Sequence, residues 1–270
     1  MPAEIVVGVD DTSASLAALH WACRRAESLG SGIALTHVVD DEWTVSAARA
    51  AEAELLLVRL ADEAARDFPG TLVRISQRIG NVSIELLRES EGASLLVVGT
   101  HKTGFVQGRV FGSRSMRLAA GASSPVAVIP EWVSGARSGV VVGLDDSIAG
   151  REAIRFASAE ADRLGEDLVL LLATGGRHHH DDEHDARYLD LTTRALRQTG
   201  QVSTDLGVRI RTIARPPGVA LVDAAADATL LVVGSSRRHI DGVTALGPVT
   251  HDVLFNIGTP TIVVHPNDPR

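Results

Sequence analysis

LLVVGTHKTGFVQGRVFGSRS, residues 95–115, is the stretch of this chain that decides its fold. It begins with four apolar residues, breaks at Gly99, and ends in a glycine-serine pair at Gly112 and Ser113. The apolar residues that follow predict a helix with one buried face. A buried strand, a glycine-bearing loop and a helix start together favour anion binding, because the loop backbone and the first helical turn offer unpaired N–H donors.

The loop in this stretch carries two further glycines, Gly104 and Gly108, and several basic side chains. Lys102 lies near its start, Gly104 follows, and Arg114 comes directly after its end. These cations can bind a phosphate group, although solvated side chains would give the same pattern. The spacing matches neither GxxxxGK[ST] nor GxGxxG, so the loop alone does not identify a ligand.

The same pattern occurs a second time. Residues 230–249 read LLVVGSSRRHIDGVTALGPV, and the segment VVGVDD near the start of the chain returns as VVGLDD. Three pairs of residues share one separation of 135 positions: Gly99 with Gly234, Gly112 with Gly247, and Asp10 with Asp145. One shift without net insertion indicates two copies of a single domain, which we predict at residues 1–134 and 139–270.

The composition limits the class of protein. The 270 residues are 45% hydrophobic but only 3% aromatic, which suits the aliphatic cores of parallel sheets, whose strands are buried on both faces. Cys23 is the only cysteine, and we find neither a signal peptide nor an apolar run of membrane-spanning length, which favours a cytoplasmic protein. A net charge of −8 argues against general nucleic-acid binding.

Short apolar strands alternate with amphipathic helices in both copies. Strands are predicted at residues 4–10, 33–39, 71–75, 95–98 and 125–129, and again at 140–145, 167–173, 206–213, 229–233 and 260–264. This order predicts an α/β fold, in which each copy is a five-stranded parallel sheet with helices on both faces. Ligands bind such sheets beyond the carboxyl ends of the strands, where the strand order reverses. If the first and fourth strands are neighbours, Asp10 and Gly99 lie side by side at that place.

These motifs resemble those of a known family. VVGVDD, VVGLDD, the two LLVVG strands and the Gly112-Ser113 pair are similar to motifs of the universal stress protein family. The whole chain resembles a tandem member of the actinobacterial kind. The resemblance implies two Rossmann-like domains of the adenine nucleotide alpha hydrolase-like type. It also implies an intramolecular pseudo-dimer paired through the fifth strands, and two such chains can form a homodimer.

One branch of that family binds ATP. Its motif is a glycine, two residues, a second glycine, nine residues, a third glycine and then Ser or Thr. The matching positions in the first copy are Gly99, Lys102, Gly112 and Ser113, with Asp10 and Val38 on the adenine side. The matching positions in the second copy are Gly234, Arg237, Gly247 and Pro248, with Asp145 and Ala173 on the adenine side.

The departures from the motif predict that the two copies differ. Lys102 and Arg237 stand in place of the second glycine, where a cation can still form charge-assisted hydrogen bonds to phosphate. Pro248 replaces the serine or threonine, which removes a backbone N–H and a hydroxyl from the second site. We therefore expect a nucleotide-dependent stress or regulatory protein whose first copy binds ATP, with or without Mg²⁺, better than the second.

Two other functions fit the sequence. One is an interaction scaffold without nucleotide, and the other is a weak ATPase or a related nucleotidyl-alpha hydrolase. The catalytic motifs GxSxG, HExxH and CxxC are absent, and Asp10 and Asp11 would point to opposite faces of a strand, which argues against a pair of acid–base carboxylates. The histidine-rich run at 178–184 is either a divalent-metal site or a solvated loop.

Overall fold

The computed structural model describes residues 3–40, 46–100, 113–131, 135–175, 182–236, 238–240 and 243–266. The chain divides into two compact units, Met1–Trp132 and Val133–Arg270, which we call domain 1 and domain 2. Within the described ranges, no helix is both long enough and apolar enough to cross a membrane. The histidine-rich run lies partly outside these ranges, and its metal-binding interpretation stays a prediction.

Domain 1 is a parallel sheet covered by helices. Its strands are β1 (Ile5–Gly8), β2 (Ile33–Val39), β3 (Val73–Ile79), β4 (Leu95–Thr100) and β5 (Val126–Pro130), and its helices are α1 (Ser13–Leu29), α2 (Ala47–Asp67), α3 (Val82–Glu89) and α4 (Ser113–Gly121). The strands pair in the order β3-β2-β1-β4-β5. The order reverses between β1 and β4, so right-handed crossovers place α1 and α2 on one face and α3 and α4 on the other.

The local sequence explains the burial of β4 and the two ends of α1. Residues 95–97 in β4 are fully buried, because helices cover both faces of a central parallel strand. Helix α1 begins where the Thr12 side chain accepts a hydrogen bond from the Ser15 N–H, and it ends at Gly30, whose φ of 59° is left-handed. The predicted neighbours β1 and β4 pair in register, with Gly8 opposite Val98.

Domain 2 repeats this architecture. Its strands are β6 (Val140–Gly143), β7 (Leu168–Ala173), β8 (Val208–Ile213), β9 (Leu230–Gly234), β10 (Arg238–Ile240), β11 (Val243–Ala245) and β12 (Thr261–Val264), and its helices are α5 (Ile148–Leu164), α6 (Asp182–Val202), α7 (Pro217–Ala224) and α8 (Pro248–Phe255). The parallel strands pair in the order β12-β9-β6-β7-β8. Helices α7 and α8 both begin at a proline, since the first helical position needs no N–H donor.

The third parallel strand of each domain differs from its predicted bounds. β3 covers residues 73–79 rather than 71–75, and β8 begins at Val208 rather than at residue 206. Within the described residues each of these strands pairs with one neighbour, and side chains such as Ile75 and Ile210 are exposed. Hydrophobic pattern marks buried strands best, so it places such partly exposed strands less accurately.

Candidate functional site

A cavity of about 220 Å³ lies in domain 1, at the point where the strand order reverses. Its walls are the carboxyl ends of β1, β2 and β4, the first turns of α1 and α4, and residues of α3. Four of the site residues predicted from the sequence line it: Asp10, Val38, Gly99 and Arg114. The fold thus brings residues that are far apart in the sequence to one concave surface, which is the usual setting of a small-molecule site.

Asp10 follows β1 and is held by a turn at the start of α1. Its Oδ1 atom accepts hydrogen bonds from the backbone N–H of Thr12 at 3.2 Å and from the Thr12 hydroxyl at 2.5 Å. The Ser15 hydroxyl donates to the Asp10 carbonyl oxygen at 2.5 Å, which fixes the backbone as well. In the described part of the chain both bonds to the carboxylate end on Oδ1, and Oδ2 therefore remains available to accept from a ligand hydroxyl or amine.

Asp11 is not one of the residues that line the cavity, and it has a different partner. Its Oδ1 atom accepts a hydrogen bond from Arg59 Nη2 on α2 at 2.6 Å. Domain 2 repeats this ion pair, with Arg194 Nη1 3.0 Å from Asp146 Oδ1. The predicted end of the first strand at Asp10 was wrong, because β1 ends at Gly8 and both aspartates follow it. Asp11 therefore differs from Asp10 because it pairs with Arg59 of α2, and not because side chains alternate along a strand.

Gly99 is required by packing inside domain 1. A Cβ atom at this position would lie 2.8 Å from the Ser15 nitrogen and closer still to the carbonyl oxygen of Ala14. Gly234 has the same relation to α5, since a Cβ there would lie 2.9 Å from the Gly150 nitrogen. Glycine therefore lets the start of the first helix approach the strand end, which brings the turn before that helix to the cavity. A direct role of either glycine in phosphate binding stays a prediction.

The start of α4 opens onto the cavity. This helix begins at Ser113, and Arg114 and Ser115 in its first turn line the cavity. Arg114 is exposed, so its guanidinium adds positive charge to a helix start that already carries the positive end of the helix dipole. Several predicted site groups lie outside the described part of the chain: Lys102, Gly104, Gly112, Arg237 and the side chain of Ser113.

Strand β2 and helix α3 give the cavity an apolar wall. Val38 is buried in β2, and Val82 and Leu86 of α3 also line the cavity. His37 Nδ1 lies 2.8 Å from the carbonyl oxygen of Val9, and because a carbonyl only accepts, Nδ1 carries the proton. This bond ties β2 to the loop that carries the carboxylate, so the apolar wall and the acid are held together.

Domain 2 keeps the turn but changes the chemistry around it. Asp145 Oδ1 accepts hydrogen bonds from the Ser147 N–H at 2.8 Å and from the Ser147 hydroxyl at 2.5 Å. Ala173 is the last residue of β7, and Gly247 precedes the first residue of α8 as its N-cap. Val249 stands where domain 1 has Arg114, so the cation at the helix start is lost.

The family of the chain follows from comparison of its sequence. The profile of the universal stress protein family matches residues 1–130 and 138–265. The chain belongs to the universal stress protein family. A universal stress protein of Mycolicibacterium smegmatis is 30% identical over 284 residues, covering 97% of both proteins. Universal stress protein Rv1996 of Mycobacterium tuberculosis is 29% identical over 308 residues, covering 98% of this chain and 96% of the relative.

Solved universal stress proteins share the fold. One from Archaeoglobus fulgidus covers 97% of this chain and 98% of its own, with a TM-score of 0.76 and 17% identity, which supports the fold alone. A universal stress protein in complex with cAMP, and one from Archaeoglobus fulgidus in complex with dAMP, each match 49% of the chain with TM-scores of 0.39 and 0.38. Scores this low support no conclusion about the ligand of this chain.

The second universal stress protein domain contains a hairpin that the sequence prediction missed. Between Gly234 and Gly247, β10 and β11 pair in antiparallel register, for example Arg238 with Ala245. Backbone N–H and C=O groups that pair within a hairpin are not available to surround a phosphate. The sequence has an Asp-Gly pair between the two strands, which is a known hairpin signal and could have predicted the pairing of β10 with β11.

The prediction also missed polar residues in the wall of the domain 1 cavity. These are Thr12, Ser15, Thr36 and Thr100. Thr12 and Ser15 form the turn around the carboxylate, whereas Thr36 is a hydroxyl residue inside the apolar strand IALTHVV. A polar residue within a buried apolar strand was the available signal, because such a group needs a hydrogen-bond partner.

Proposed function

We propose that domain 1 binds ATP and that the bound nucleotide regulates this universal stress protein. The observation that carries the proposal is the cavity at which Asp10, Val38 and Arg114 meet. A carboxylate that accepts from hydroxyls or an amine, an apolar wall and a cation at a helix start match the sugar, base and phosphates of a nucleotide. The choice of ATP among nucleotides comes from the resemblance to the ATP-binding branch of the family.

The proposed orientation follows from the chemistry of each wall. The base packs against β2 and α3, and the main chain at Val38 contacts its polar edge. Asp10 Oδ2 accepts a hydrogen bond from the sugar or from the adenine amine, and the phosphates accept from Arg114 and the first turn of α4. Among the described residues no group of three His, Cys, Asp or Glu is suited to a metal, so Mg²⁺ would be bound mainly by phosphate oxygens and water.

For domain 2 we propose a structural role, which keeps the scaffold function as the second candidate. The hairpin pairs backbone groups that a phosphate loop would need, Pro248 lacks an N–H, and Val249 replaces a cation. Each change removes a phosphate partner. Pairing of the two domains through their fifth strands, formation of a homodimer and a cytoplasmic location stay predictions of the sequence and the family resemblance.

The regulatory part of the proposal needs two states of the protein. A ligand shifts an equilibrium only by its differential affinity for the two states, so ATP must bind one conformation or assembly better than the other. Slow ATP hydrolysis is the enzymatic alternative. It would appear as phosphate release that depends on Asp10.

We expect ATP-Mg²⁺ to stabilise the full-length protein and Asp10→Ala to remove most of this effect. At about 100 times Kd a ligand that binds only the native state adds about 2.7 kcal/mol, which raises Tm in a thermal scan. Loss of a charged hydrogen-bond acceptor is expected to weaken ATP binding about tenfold or more in calorimetric titration.

Asp145→Ala is the matched control for this experiment. It removes the equivalent turn hydrogen bonds, here with Ser147, and should therefore cost similar stability without ligand. We expect it to leave ATP affinity unchanged. The absence of any ATP binding by wild type would refute the proposal. A larger loss of affinity in Asp145→Ala than in Asp10→Ala would place the ATP site in domain 2 and not in domain 1.

Replacement of Arg114 by valine, the residue of domain 2, tests the phosphate end of the site. We expect Arg114→Val to weaken ATP about tenfold while adenosine affinity stays the same, because a charge-assisted hydrogen bond to phosphate is lost. Arg117→Val is the control, since Arg117 is exposed on the same helix and is not one of the cavity-lining residues. Equal losses for ATP and adenosine would contradict the proposed orientation.

A further inference from the structure

Thr36 of β2 is a buried polar residue that lacks a hydrogen bond through its side chain. The residue is 0% exposed, and its Oγ1 atom has no partner within the part of the chain that the structure describes. An unsatisfied buried hydroxyl costs about 1–3 kcal/mol, and such groups are uncommon in native proteins. A partner supplied by a bound ligand would offset this cost.

Thr36 is one of the cavity-lining residues, as is Val38, which lies two residues further along the same face of β2. Its neighbours in register are Gly8 on β1, which carries no side chain that could pair with the hydroxyl, and Ser76 on β3, whose hydroxyl donates to Glu89 Oε2 at 3.1 Å. The other buried hydroxyls without a partner in the described ranges do not line this cavity: Ser31, Thr71, Ser124 and Ser235.

Domain 2 shows that the fold does not need a hydroxyl at this place. Leu171 of β7 is the equivalent residue, and it is 1% exposed. The same strand position therefore accepts a buried apolar side chain in domain 2, where Pro248 and Val249 stand in place of Ser113 and Arg114. The hydroxyl is present in domain 1, whose cavity is also lined by Asp10 and Arg114.

We propose that Thr36 Oγ1 forms a hydrogen bond with the polar edge of the base of a bound nucleotide, and that Thr36 thereby helps to select the base. This inference rests on the proposed function of domain 1. A threonine hydroxyl donates one hydrogen bond and accepts others, so it can pair with a ring nitrogen or with an exocyclic amine of a purine. A ligand without a polar group there leaves the buried hydroxyl unpaired and binds less well.

Thr36→Val tests this contact, because valine keeps the branched shape and removes only the hydroxyl. The Kd for ATP is expected to rise about five- to tenfold, as for the loss of one neutral hydrogen bond. Thr36→Ser keeps a hydroxyl and should retain most of the affinity. Thr71→Val removes a comparable unpaired hydroxyl outside the cavity and should leave ATP affinity unchanged.

Tripolyphosphate is the second probe, because it contains the phosphates without the base. Its affinity should be the same for wild type and Thr36→Val, and without ligand both valine variants should unfold at no lower denaturant concentration than wild type. Wild-type affinity for ATP in Thr36→Val would overturn this inference while the proposed function stands. An equal loss for tripolyphosphate would also overturn it, since the variant would then have altered the cavity as a whole. Failure of wild type to bind ATP would refute both proposals.

Discussion

Alanine in place of Gly99 is expected to lower the free energy of unfolding of domain 1 by about 3 kcal/mol. The added methyl group would meet the backbone at Ala14 and Ser15, and a backbone cannot rotate away as a side chain can. Relief therefore requires α1 to move away from β4, which separates two elements of the domain core. Denaturant unfolding followed by tryptophan fluorescence measures the effect, because Trp21 is part of α1 and the sequence of domain 2 contains no tryptophan.

Gly32→Ala is the matched control for this experiment. A Cβ at Gly32 would have ordinary contacts, the nearest at 3.5 Å from the carbonyl oxygen of Leu72. We expect its free energy of unfolding to stay within about 0.5 kcal/mol of wild type. Equal stability of Gly99→Ala and Gly32→Ala would show that the close approach of α1 and β4 does not exist in solution.

This result would also limit how Gly99 can be used in binding experiments. A variant that displaces α1 also displaces the Asp10 turn at its start, so nucleotide affinity would fall whether or not the glycine touches phosphate. Gly234→Ala provides the comparison, because it creates the same collision in domain 2. Variants of Asp10, Arg114 and Thr36 are therefore the better tests of the site.

The free energy of unfolding is expected to depend on pH through Cys23. The thiol is fully buried in α1, and burial, together with the negative charges of Glu27 and Asp67, raises its pKa from 9.0 to about 12. Above pH 9 the unfolded chain loses this proton while the folded protein keeps it. The contribution of Cys23 is therefore fully present below pH 9 and is lost as the pH rises towards 12, at about 1.4 kcal/mol per pH unit.

Comparison with Cys23→Ala isolates this effect. Denaturant unfolding of both proteins between pH 8 and about 10.5 should show wild type losing stability faster than the variant above pH 9, while any constant difference in packing cancels. A thiol-specific reagent should react with Cys23 only after unfolding, because a protonated and buried thiol is a poor nucleophile. Parallel pH profiles would contradict the raised pKa.

The sequence predicted the elements that are buried or that carry strong end signals. The LLVVG runs became β4 and β9, the helix stop at Gly30 was correct, and Pro248 begins α8 as expected. These features are local, since continuous apolar runs, left-handed glycines and first-turn prolines have meaning without knowledge of the fold. The edge strand β3 was placed less well, because its exposed side chains weaken the hydrophobic pattern.

The site was predicted only in part. The sequence placed Asp10 and Gly99 side by side on the condition that the first and fourth strands are neighbours, and the structure meets that condition. The reason for Gly99 could not be predicted, because it depends on a contact with Ala14 that only the packed helix creates. Thr36 could be seen as polar, but its lack of a partner depends on every neighbour in three dimensions.

With the loop of domain 2 committed to the β10–β11 hairpin, the proposed function gives each chain one nucleotide site instead of two. The occupancy of one site follows a hyperbola, so an isolated chain reports the nucleotide level as a graded signal. Cooperativity needs at least two coupled sites. A steep response to a small change in concentration would therefore require several chains to assemble, each contributing its own domain 1.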